Sequence, residues 1–72
     1  MATYAEALEI INYLEKSNDD MTIAYNIDGV RSDHMPDVYN AYQARVSIES
    51  INTAAANFGK SVSFSVYRVE NF

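Results

Sequence analysis

Two kinds of hydrophobic spacing alternate along this chain. From 4 to 17, Tyr4, Ala7, Leu8, Ile11 and Leu14 recur at steps of three and four, with Ile10 and Tyr13 beside them. Glu6, Glu9, Asn12 and Lys16 fall toward the other side. A helix stacks positions three and four apart on one face, so the spacing predicts an amphipathic helix over 4–17. Thr3 and Glu6 have the spacing of a capping box, and Asn18 suits the left-handed residue that stops a helix. The aromatics of this helix, Tyr4 and Tyr13, read as core packing.

The period then changes to two. Ile23, Tyr25 and Ile27 alternate with Thr22, Ala24 and Asn26, which predicts a strand with one apolar face. Asp28-Gly29 follows as a two-residue hairpin turn, because both residue types tolerate positive φ. Val30 to Met35 then return as a short second strand, whose Arg31 and Asp33 suit a sheet edge. Near the end, Val62, Phe64 and Val66 alternate with Ser61, Ser63, Ser65 and Tyr67. That third strand, like the first, carries a hydroxyl- and amide-rich second face, so one side of the sheet is expected to stay open.

Between the strands lies 36–59, the longest stretch without a breaker, and it supports two readings. Ala41, Ala44, Ile48, Ile51, Ala55 and Phe58 form a helical stripe, with Pro36-Asp37 as the start and Gly59 as the stop. From 38 to 48, however, Val38, Tyr42, Ala44, Val46 and Ile48 also alternate as a half-buried strand would, leaving a short helix over 51–58 capped by Ser50. The long helix is favoured because its stripe runs on to Phe58 while the alternation stops. On that helix Arg45 and Glu49, four apart, can pair.

The order is therefore α-β-β-α-β. The expected fold is α+β: one domain over 1–72, with a three-stranded antiparallel sheet of order 2-1-3 and two helices on one face. A parallel pairing of the second and third strands is the alternative. The central helix would run about 33 Å, against about 27 Å for an eight-residue strand. That overhang, with Ala54-Ala55-Ala56 on it, favours a homodimer over a monomer.

Composition narrows the function more than it names it. A chain of 72 residues buries only about 60% of its unfolded surface, so its stability is marginal. There is no cysteine to staple it, which favours a reducing cytoplasm. No signal segment and no apolar run long enough for a membrane span is present. Net charge is −5. Residues 1–36 hold Glu6, Glu9, Glu15, Asp19, Asp20, Asp28 and Asp33 against Lys16 and Arg31, and so carry all of it. Direct binding to nucleic acid or to an anionic membrane is disfavoured, and a basic protein partner is favoured.

Nothing points to catalysis. There is one histidine, no cysteine and no glycine-rich phosphate loop, since the only glycines are Gly29 and Gly59. Asp33, His34 and Asp37 are the one close group of metal-capable side chains, but their spacing fits no known metal loop and each acid has an ordinary turn or first-turn role. No metal or other cofactor is expected. Tyrosine is the positive signal: six in 72 residues are too many for so small a core. Their apolar body and polar tip favour interfaces.

In its size and acidity, and in no motif, the chain resembles small phage-encoded inhibitors of host defence, of the anti-CRISPR and anti-restriction type. The resemblance implies a mechanism in which acidic side chains occupy a basic, nucleic-acid-binding cleft of a larger host protein. The acids concerned would be Glu6, Glu9, Glu15, Asp19 and Asp20. Tyr39, Tyr42 and Tyr67 are the tyrosines expected to help form the partner surface. The expectation is thus a non-enzymatic inhibitor or modulator, with a structural homo-oligomer as the alternative.

Overall fold

The structure, a computed structural model, describes residues 2–32 and 38–69. The first helix, α1, is Tyr4–Lys16. The Glu6 N–H donates to the Thr3 hydroxyl at 3.3 Å and the Thr3 N–H donates to the Glu6 carboxylate at 3.2 Å, closing the expected capping box. Ala7, Ile11 and Leu14 are its buried face. Asn18, at φ +53°, turns the chain out of the helix.

The strands are β1, Met21–Ile27, β2, Val30–Ser32, and β3, Val62–Arg68, in one antiparallel sheet of order β2-β1-β3. Asp28 and Gly29 both take positive φ in the β1–β2 turn, and the Gly29 N–H donates to the Asn26 side chain at 2.8 Å. Strands two and three sit on opposite sides of β1, so the parallel alternative does not occur. Only Val30–Ser32 of the expected second strand lies within the described residues, as does neither Pro36 nor Asp37.

The register sets the two faces. Ile23 pairs with Val66, Tyr25 with Phe64 and Ile27 with Val62, all on the helix side. Thr22 pairs with Tyr67, Ala24 with Ser65 and Asn26 with Ser63 on the open side. Ile23 and Phe64 join Ala7, Ile11, Leu14, Met21, Ala44 and Ile48 in the core, with the rings of Tyr4 and Phe64 6.4 Å apart. The outer edge of β3 is blunted at its centre: Ala2 exchanges two backbone hydrogen bonds of 2.7 Å with Phe64.

The second helix, α2, is Ala41–Asn57, and it corrects the expected start. The start signal is Asn40 with Gln43, a second capping box, in which the Gln43 N–H donates to the Asn40 side chain at 2.8 Å and the Asn40 N–H donates back at 3.1 Å. Val38 and Tyr39 precede the helix in extended chain, Tyr39 pairing with Met21. The strand reading of 38–48 therefore reduces to one bridge. The stop is as expected: with Gly59 at φ +67°, the Lys60 N–H reaches the Ala55 carbonyl at 2.8 Å and the Gly59 N–H reaches Ala56 at 3.0 Å.

Two further expectations fail with the shortening. Phe58 is not in the core but is 78% exposed, because the chain leaves the helix at that residue. At 17 residues α2 spans about 25 Å and a seven-residue strand about 23 Å, so the overhang argued for dimerisation disappears.

Candidate functional site

The acids of α1 and of the turn after it fall into two groups, set by the helical period. Glu6, Glu9, Ile10 and Tyr13 project from the flank of α1 away from α2, where with Ala2 they line an open groove of about 310 Å³. Glu15 projects from the other flank. With Asn18, Asp19, Asp20, Asn40, Ala41 and Tyr42 it lines a depression of about 290 Å³ between the end of α1 and the start of α2. The structure thus brings Glu15, Asp19, Asp20 and Tyr42 together, and keeps Glu6 and Glu9 on a separate but adjoining surface.

Two of the acids in the depression are already paired. Arg45 does not bind Glu49, as the four-residue spacing suggested. It crosses to α1, its guanidinium donating to both Glu15 oxygens at 2.8 and 3.0 Å and to the Asn12 side chain at 2.6 Å. The next residue along from buried Ala44, it lies on the side of α2 that faces α1. This bidentate pair holds the Glu15 carboxyl below its ordinary range and raises Arg45. Asp19 accepts from Arg68 Nε at 3.0 Å, tying the turn to the end of β3. With Arg45 on Glu15 and Arg68 on Asp19, Asp20 is the acid of this depression with no arginine pair among the described residues, and its backbone carbonyl accepts from the Val69 N–H at 2.9 Å. On the other flank, the Thr3 N–H and then its hydroxyl bind Glu6 and lower its pKa.

The tyrosines divide as well. Tyr42 is 73% exposed at the rim of the depression, and Tyr67 is exposed on the open sheet face. Tyr39 packs against the core and its backbone pairs with Met21, so it is a structural residue first. Tyr13, read from the sequence as core, is 65% exposed and stands beside Ile10, Glu6 and Glu9. A signal for this was present: at 100° per residue Tyr13 points well away from the Ala7, Ile11 and Leu14 direction. Among the described residues no three metal-capable side chains converge, and Asp33, His34 and Asp37 lie outside them. No helix among the described residues is long and apolar enough to cross a membrane. Comparison with protein-family models, curated proteins and solved structures finds no match to this chain.

Proposed function

We propose that the chain is a non-enzymatic protein-binding module of the cytoplasm, a small acidic inhibitor or modulator that covers a basic, nucleic-acid-binding surface of a larger protein. The observation that carries this reading is the pairing of acids with exposed tyrosines at both surfaces of α1. Glu6 and Glu9 stand with Tyr13, and Glu15, Asp19 and Asp20 stand with Tyr42. Carboxylates steer a cationic partner and set its register, while tyrosine supplies contact area at low entropic cost. Arg45 and Arg68 partly neutralise Glu15 and Asp19, so Glu6, Glu9 and Asp20 are the carboxylates left to steer a partner's cation. The test is competition. A nucleic-acid-binding protein retained by the immobilised chain should be released both by duplex DNA and by salt. Retention indifferent to both contradicts the proposal.

A further inference from the structure

We infer that the outer edge of β3 beyond Phe64 accepts a strand: a short extended segment of a cationic partner protein adds to the sheet opposite Val66 and Arg68. This rests on the chain being a protein-binding module, and names how the partner is held. In an antiparallel ladder successive residues turn their N–H and C=O to alternate sides. The Asp28 N–H donates to the Ser61 carbonyl at 3.0 Å and the Val69 N–H to the Asp20 carbonyl at 2.9 Å, so the odd-numbered residues of β3 face β1. Val62, Phe64, Val66 and Arg68 therefore turn theirs to the outer edge. Phe64 is bonded there to Ala2, whereas the N–H and C=O of Val66 and Arg68 have no partner among the described residues. Ala2 shows what the edge accepts: antiparallel backbone, with both hydrogen bonds at 2.7 Å. A row of unpaired groups in that geometry is completed by another extended backbone.

The surroundings of the edge select the side chains of the added strand. α1 starts beside Phe64, where Ala2 pairs, and ends in a turn clasped to Arg68 by Asp19, so it runs along β3 from its centre to its end. Glu6, Glu9, Ile10 and Tyr13 on its flank share with Ala2 the groove of about 310 Å³, which therefore borders the free part of the edge. Strand residues opposite Val66 and Arg68 point to the helix side, as Val66 does, and meet exposed Ile10 and Tyr13 with Glu9 beside them. A lysine or arginine suits both surroundings: its aliphatic stem covers the apolar surface and its cation reaches the carboxylates. The residue between them points to the open face next to Tyr67, where a β-branched or aromatic side chain makes a cross-strand pair.

Charge excludes a second copy as the occupant. Two chains joined edge to edge would bring the Glu6 and Glu9 flanks toward each other, and each chain carries −5. A cationic strand from another protein meets the opposite condition.

The test is amide NMR on the full chain with a defined probe, the pentapeptide acetyl-Lys-Val-Lys-Val-Lys-amide. In the free chain the Val66 and Arg68 amides should exchange readily with deuterium, while those of Ser65 and Tyr67 are protected. The peptide should protect Val66 and Arg68 and shift the signals of Glu9 and Tyr13. Methylating the lysine backbone nitrogens removes the donors that face β3 and should weaken binding about tenfold. Methylating the valine nitrogens, which face away from β3, should not. The analogue acetyl-Glu-Val-Glu-Val-Glu-amide should not bind. Val66→Pro removes a donor from the edge and none from the β1 ladder, so it should lower affinity with the β1–β3 shifts retained. The methylated peptides decide the question if that variant unfolds. Shifts confined to Glu6, Glu9 and Asp20 with Val66 and Arg68 still exchanging, or equal binding of the two methylated peptides, overturn the inference and leave the acidic surface of the proposed function in place. Absence of lysine-peptide binding at millimolar concentration also overturns it, whatever the outcome of the competition with duplex DNA that tests the function.

Discussion

Val46 and Ile48 are two residues apart, and truncating each to alanine should have unlike effects. A strand would place both on one face. On α2 they point about 160° apart, and the structure has Ile48 fully buried and Val46 46% exposed. Ile48 packs with Ala44, Ile11 and Phe64 in the core, so Ile48→Ala leaves a cavity and should cost about 2–5 kcal/mol. Val46→Ala removes a half-exposed branched side chain from a helix, where alanine is the better former, and should fall within about 0.5 kcal/mol of wild type. For a domain this small, each kcal/mol moves the thermal midpoint by roughly 4–8 °C. Ile48→Ala should therefore melt at least about 8 °C lower, with Val46→Ala close to wild type, in thermal scans by circular dichroism at dilute protein. Equal shifts for the two variants would refute the packing of α2 described above.

The remaining expectations concern the ends and clasps of the helices. Asn40→Ala removes the cap of α2 and should cost about 1 kcal/mol with a loss of helical signal in its first turn, checked by urea unfolding and by amide chemical shifts at 41–44. Gly59→Ala has open space around the new methyl, so its cost is the left-handed backbone alone, about 1 kcal/mol by the same urea measurement. Glu15 and Glu6 both have lowered pKa values in the fold, so the stability they contribute is present above their ordinary value of 4.5 and is lost as pH falls through the lowered values. Unfolding midpoints should accordingly be flat above that value and drop below it. In Arg45→Gln the Glu15 carboxyl, followed by NMR titration, should move back up toward 4.5.

The strand order was legible because its signals were local. The alternation in β1 and β3, the Asp28-Gly29 turn and the charged Arg31 in β2 each act within a few residues: they mark β2 as an edge and β1, apolar and without charge in its body, as the central strand. The helix stops were legible for the same reason, as left-handed Asn18 and Gly59 show. The start of α2 lies later than Pro36-Asp37 suggests because that dipeptide is only a general helix-start signal, whereas Asn40 and Gln43 form a specific reciprocal pair. Arg45 was assigned to Glu49 by sequence distance, but its partner is 30 residues away on α1 and becomes a neighbour only through packing. Tyr13 and Phe58 were assigned to the core by residue type when their helical angle and the helix end, respectively, put them outside. The gathering of Glu15, Asp19, Asp20 and Tyr42 depends on how α1 meets α2, which no local pattern encodes.

The most direct test of the proposed acidic recognition surface is the salt dependence of association. A nucleic-acid-binding protein captured by the chain should be titrated against wild type and against Glu9→Lys/Asp20→Lys, which reverses one carboxylate on each surface of α1 without touching either arginine clasp. Stopped-flow association rates should fall steeply with ionic strength for wild type. The double variant should associate more slowly at low salt and show a flatter dependence. Rates that are the same for both proteins at every salt concentration would contradict the account.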